Sequence, residues 1–133
     1  MGPDHALRRQ VNHQLRSRPN LSVHTWYQQR WLEPALATPD AKPLIYFLYD
    51  RLAAYSGLCI GRTYPGDKLF EDLQFPMVCW FDWGITLCED VQSTFRIDIS
   101  ESFDERDYIT LLDLANYLQE QVRRQSTDQP SCF

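Results

Sequence analysis

Hydrophobic residues recur at helical spacing in the middle of the chain and stop at a glycine. Their intervals of three and four residues predict an amphipathic helix that buries one side. Its buried members are Leu44, Phe47, Leu48, Leu52 and Tyr55. Gly57 follows them and predicts a left-handed C-terminal cap. Residues 58–75 then carry the turn motif Tyr64-Pro65-Gly66-Asp67 and are predicted to form a loop.

Two further helices are predicted in the second half of the chain. Asp82 is placed to cap the first of them. Its hydrophobic face holds Ile85, Cys88, Val91 and Phe95, with Leu87 beside it. The last helix begins at Thr110 and buries a stripe of Leu111, Leu114, Ala115, Leu118 and Val122. Between them, Ser102-Phe103-Asp104-Glu105 fits a capping box and predicts one short helical turn, while Ile97-Asp98-Ile99 alternates too briefly to require a sheet.

The N-terminal third shows a weaker pattern. Residues 1–19 have no hydrophobic period, so we expect a flexible basic arm that is dispensable for folding. Ser22 is a good N-cap for a short helix that reaches about Leu32. Trp26, Tyr27, Arg30 and Trp31 share one side of it, Glu33-Pro34 ends it, and Thr38-Pro39-Asp40 begins the next helix.

These elements predict an all-α protein, a small helical bundle with an N-terminal helical extension. The expected organisation is a flexible arm over 1–19, the extension over 20–38, the helical domain over 39–123 and a frayed tail over 124–133. A chain of 133 residues with 44% hydrophobic residues suits one domain. No hydrophobic run approaches the ~20 residues needed to span a bilayer, and the first ten residues lack the apolar segment of a secretory signal. We therefore expect a cytoplasmic location and no membrane partner.

The net charge of −5 is unevenly distributed. Residues 1–31 hold five arginines against Asp4 alone, a net charge of +4, whereas the remainder holds 8 basic and 17 acidic residues, a net charge of −9. The main body should therefore repel nucleic acid and suit a protein partner with a basic surface.

Side chains with catalytic or metal-binding potential are scattered. The four cysteines form no CxxC pair, and His5, His13 and His24 lie far from them, so no metal site or cofactor is expected. The sequence leaves open whether Cys79 and Cys88 pair. Asp104, Glu105 and Asp107 are not associated with any nucleophile and are interpreted as a solvated turn. These patterns do not favour an enzyme.

Three strings, in order, resemble acyl carrier proteins. Pro65-Gly66-Asp67-Lys68-Leu69-Phe70-Glu71-Asp72-Leu73 is similar to the family's loop, which ends in an acidic pair and a leucine. The run from Leu87 to Ile99 resembles its acidic second helix, and the run from Ile109 to Leu118 resembles its last helix. The resemblance, from about Pro43 to about Val122, implies a carrier-like helical fold and an acidic second helix that meets basic partner surfaces.

The resemblance lacks the residue that a working carrier needs. Carrier proteins hold phosphopantetheine on a serine at the start of the second helix, and no serine lies between Gly57 and Gln92. The corresponding segment is Pro76-Met77-Val78-Cys79-Trp80-Phe81-Asp82-Trp83. We therefore expect a non-catalytic interaction module. Its expected partner-binding residues are Trp80, Phe81, Trp83, Glu71, Asp72, Glu89 and Asp90.

Alternatives remain open at this point. The aromatic residues of that segment would also fit a cap on the core or the border of a pocket for an acyl chain, and the carboxylates would also fit an ordinary solvated face. A small acidic inhibitor or immunity protein against a basic toxin or enzyme, or an atypical carrier, would fit the same patterns.

Overall fold

The computed structural model describes residues 3–32, 41–79 and 82–128, and this part of the chain is all-α, as predicted. Its six helices are α1 (His5–Leu15), α2 (Val23–Arg30), α3 (Ala41–Ser56), α4 (Phe75–Val78), α5 (Trp83–Phe95) and α6 (Leu111–Asp128). Two short 3-10 turns span Ile60–Arg62 and Glu105–Asp107. The described ranges hold no strand, only an isolated antiparallel bridge between Lys68 and Thr110.

Helix α3 forms the centre of the bundle and packs against both α2 and α6. Its hydrophobic stripe is buried as predicted, because residues three and four apart lie on the same face of a helix. Gly57 ends it with φ of 70°, a left-handed conformation that favours glycine.

Helix α2 confirms the predicted cap and aromatic side. The Ser22 hydroxyl accepts a hydrogen bond from the backbone N–H of Thr25. Trp26 and Trp31 are buried in edge-to-face contact, with ring centroids 5.3 Å apart. The Trp26 indole N–H donates to the carbonyl of Thr63 at 3.0 Å, so the extension is part of the core. The predicted helix end at Glu33-Pro34 and helix start at Thr38-Pro39-Asp40 lie outside the described residues.

The prediction of a flexible arm over residues 1–19 is wrong, because α1 is folded and docked. Val11 is fully buried and Leu15 nearly so. The Arg8 guanidinium donates to the backbone carbonyl of Val78 at 2.6 Å, which ties α1 to α4. An isolated helix of this length is marginal in water, so α1 owes its stability to these contacts.

Helix α6 begins with a reciprocal cap and is longer than expected. The backbone N–H of Thr110 donates to the Asp113 carboxylate, and the backbone N–H of Asp113 donates to the Thr110 hydroxyl. Four of the five predicted stripe residues are fully buried, and Val122 packs against the core from its edge. The helix continues to Asp128, so the predicted frayed tail does not begin at residue 124.

Two predicted caps are corrected. Asp82 stands at the N-cap of α5, but its side chain makes no capping hydrogen bond. The turn after α5 is capped by Asp104, not by Ser102, because the Asp104 carboxylate accepts from the backbone N–H of Arg106. Cys79 and Cys88 are free thiols in the structure.

Candidate functional site

A groove of about 520 Å³ lies between the first three turns of α5 and the loop that follows this helix. Its charged lining consists of Glu89, Asp98, Glu101, Asp104 and Glu105. None of the described residues that line it is basic. We call this feature the acidic groove.

An aromatic stack fixes the loop side of the acidic groove. Phe103 lines the groove and stacks on Tyr108 with ring centroids 5.5 Å apart. The Phe103 ring also meets the ring of Trp83 edge-to-face, with centroids 6.4 Å apart. Trp83 stands at the start of α5. The backbone N–H of Phe103 donates to the carbonyl of Ile99 at 2.9 Å and closes a tight turn. The loop is therefore held at a defined distance from the helix.

Gly84 allows the loop to approach the first turn of α5. A Cβ atom at this position would clash with the Glu105 carboxylate. Burial raises the pKa of the Glu105 carboxyl, and the neighbouring charge of Asp104 adds to the shift. The positive charge of Arg106 opposes this rise in the pKa of Glu105. No described residue donates a hydrogen bond to this half-buried carboxylate, which lines the acidic groove.

Two other carboxylates of the groove are held in their ionised form. Asp98 accepts from the hydroxyl of Ser100 at 2.6 Å and from its backbone N–H at 2.9 Å, and both bonds lower the pKa of Asp98. The side chain and backbone N–H of Arg106 lower the pKa of Asp104 in the same way. The groove therefore keeps negative charge well below neutral pH.

Ile85 stands at the groove with 65% of its surface exposed. The sequence placed it on the buried face of α5, and this prediction is wrong. Val91 is buried as predicted, and the buried stripe continues through Leu87 and Trp83. Cys88 and Phe95 are only partly buried against the core. The orientation of α5 about its axis buries the large Trp83 ring and leaves Ile85 exposed.

The structure contradicts a partner-facing role for Trp83. Only 3% of its surface is exposed, and its ring meets Phe75 edge-to-face at 5.4 Å. Burial of the large ring in the core accounts for its position better than an interface does. The predicted anchors Trp80 and Phe81 lie outside the described residues.

The four predicted carboxylates do not form one surface. Glu89 is exposed and lines the acidic groove. Asp90 accepts a hydrogen bond from the hydroxyl of Tyr55, and its carboxylate lies 3.6 Å from the Arg51 guanidinium. Both partners belong to α3, so Asp90 is engaged in contacts within the bundle.

Glu71 and Asp72 border a different depression, next to α1. The Lys68 ammonium lies 3.1 Å from the Glu71 carboxylate, and the Lys68 backbone N–H donates to Asp72. Of the four predicted carboxylates, only Glu89 lines the acidic groove.

The sequence suggests a solvated turn for Asp104 and Glu105, and it makes no functional prediction for Asp98 and Glu101. Residues 98–107 hold five acidic residues and a single arginine, and this local density is the signal that the sequence offers. It did not reveal a concave surface, because that surface depends on how the loop packs on α5.

Comparisons with known proteins yield no relative: neither a family model, nor a curated protein, nor a solved structure matches the chain. Within the described ranges, no group of three or more histidine, cysteine, aspartate or glutamate side chains is placed to hold a metal ion. None of the described helices is long and apolar enough to cross a membrane.

Proposed function

We propose that the protein is a non-catalytic interaction module whose acidic groove binds a basic segment of a partner protein. The observation that carries this proposal is a groove with five carboxylates and no basic lining residue. One of these carboxylates, Glu105, is half-buried and receives no hydrogen bond from a described residue. A lysine or arginine of the partner would supply the missing counter-charge.

The charge distribution supports the same partner chemistry. Residues 82–107 hold eight acidic and two basic residues, a net charge of −6, whereas the rest of the chain has a net charge of +1. A concentrated field of one sign accelerates association with a surface of the opposite sign. The resemblance of α5 to the acidic second helix of acyl carrier proteins points in the same direction.

The exposed side chain of Ile85 adds an apolar contact beside the charges. Interfaces combine a small apolar centre with a polar rim. We therefore expect the bound segment to place an apolar residue against Ile85 and its basic residues over Glu89, Glu101 and Glu105.

Selection from a displayed library of random peptides tests this proposal. Peptides enriched on the protein should be rich in lysine and arginine and should contain an apolar residue. Their affinity should fall with added salt, because salt screens exposed charges. The double variant Glu89→Lys, Glu101→Lys should bind at least about tenfold more weakly, through the loss of two ion pairs and added repulsion.

The control places the same charge change elsewhere. Glu71→Lys with Asp72→Lys alters the net charge equally but lies outside the acidic groove. This control should retain binding to the selected peptides. Equal loss in both double variants, or enrichment of peptides without basic residues, would show that the groove is not the binding site.

A separate prediction distinguishes the module from an atypical carrier. We expect no mass increase of one phosphopantetheine after co-expression with a phosphopantetheinyl transferase, because no serine lies between Gly57 and Gln92. Two serines line the acidic groove, and both hydroxyls are engaged: Ser100 donates to Asp98, and Ser102 bonds the hydroxyl of Tyr117. Intact-mass spectrometry checks this, and a transferase-dependent adduct mapped to any residue would make the protein a carrier.

A further inference from the structure

A group of arginines surrounds Tyr64 on a part of the molecule that the acidic groove does not include. The guanidinium carbons of Arg18 and Arg30 lie 4.5 and 4.4 Å from the centroid of the Tyr64 ring. Both distances are within the range of cation–π contacts. The Arg62 guanidinium lies beside the backbone of α1's C-terminal extension, where it donates to the carbonyls of Arg16 and Arg18.

Hydrogen bonds and an ion pair hold Arg18 and Tyr64 in place. The Arg18 guanidinium pairs with the buried carboxylate of Asp67 at 2.7 Å and also donates to the carbonyl of Arg62 at 3.2 Å. The backbone N–H of Tyr64 donates to the same Asp67 carboxylate at 2.8 Å. Arg30 stands in the last turn of α2. Arg18 and the Tyr64 backbone are therefore preorganised, which lowers the entropic cost of binding.

Among the described residues, one carboxylate, Asp67, forms an ion pair with this group of three arginines. Asp67 pairs with Arg18, and both residues line the depression that Glu71 and Asp72 border. Arg30 has neither a hydrogen bond nor an ion pair with a described residue, although its guanidinium carries five N–H donors. Arg62 uses one terminal nitrogen for two backbone carbonyls, which leaves its other donors available.

We propose that Arg18, Arg30 and Arg62 around Tyr64 form a binding site for a phosphate-type dianion, either free or as a phosphate monoester. Arg30 and Arg62 supply the uncompensated charge, and Arg18 orients the ring and one edge of the site. Guanidinium groups match the oxygens of such an anion through paired N–H donors. A dianion with several acceptor oxygens satisfies more of these donors than a carboxylate does.

The test follows the side-chain Nε–Hε signals of the arginines by NMR at constant ionic strength. Inorganic phosphate, O-phosphoserine and acetate are the three probes. We expect saturable shifts of Arg18, Arg30 and Arg62 with phosphate and O-phosphoserine, with a dissociation constant at or below about 1 mM, and little response to acetate. Tighter binding of O-phosphoserine than of phosphate would identify a monoester as the preferred source.

A matched pair of variants separates a site from general charge attraction. Arg30→Gln should weaken phosphate binding at least about fivefold, because it removes a charged donor. Arg9→Gln removes an equally charged but exposed arginine of α1 and should leave binding unchanged. Equal effects of the two substitutions, or shifts that do not saturate and include Arg9, would overturn the proposal. Neither result bears on the acidic groove, whose peptides are measured separately.

Discussion

Replacement of Trp83 with alanine is expected to lower the free energy of unfolding by about 3–5 kcal/mol, because the substitution removes a buried ring and leaves a cavity. The ring is almost fully buried between Phe75 and Phe103. The loss would be a large part of the ~5–15 kcal/mol that stabilises a domain. Urea denaturation followed by circular dichroism measures it.

Ile85→Ala is the matched control, two residues along the same helix. Its side chain is mostly exposed, so the substitution should change stability by no more than about 0.5 kcal/mol. It should nevertheless weaken the peptides selected on the acidic groove. If Trp83→Ala were as stable as the wild type and only peptide binding were lost, Trp83 would be an interface anchor after all.

Short-range sequence patterns predicted the helices whose caps and hydrophobic faces are encoded within single segments. Helix α3 and helix α6 each combine a run of hydrophobic residues at helical spacing with a cap at one end, Gly57 and Thr110 respectively. Helix α2 has a serine cap and two aromatic residues on one side. These features are properties of short segments, so the sequence alone indicated them.

Helix α5 shows why the buried face of a helix is harder to predict than its existence. Two stripes overlap on it, one through Ile85 and Cys88 and the other through Trp83 and Leu87, and both have helical spacing. The tertiary partners of Trp83 decide between them. The acidic groove was missed for the same reason, because its carboxylates are visible in the sequence but the loop that brings them onto α5 is fixed by Phe103.

Helix α1 escaped prediction because most of its docking is polar. Only Val11 and Leu15 are buried, which is too few for a recognisable period. The side chains that hold the helix are Arg8 and Asn12, whose partners lie 45 to 70 residues away in the chain. Such long-range hydrogen bonds leave no local pattern.

Deletion of residues 1–19 should therefore destabilise the protein severely, by at least about 4 kcal/mol from the lost burial of two hydrophobic side chains and the hydrogen bonds that accompany them. The deletion also removes Arg18 and leaves the buried Asp67 carboxylate without its ion-pair partner. The backbone N–H of Cys59 loses its acceptor, the side-chain oxygen of Asn12. A lower melting temperature, or loss of cooperative unfolding, is the expected result.

A pair of substitutions on α1 shows whether docking, rather than the mere presence of the segment, is responsible. Val11→Asp places a charge in the core and should cost several kcal/mol, because an unpaired buried carboxylate is strongly disfavoured. Gln10→Asp introduces the same charge one residue earlier, on the exposed side, and should be nearly neutral. A deletion variant that unfolds cooperatively with wild-type stability would mean that α1 does not dock and that residues 1–19 are the flexible arm the sequence suggested. Since Arg8 alone bonds carbonyls from both α3 and α4, we expect α1 to be required for the bundle to hold together.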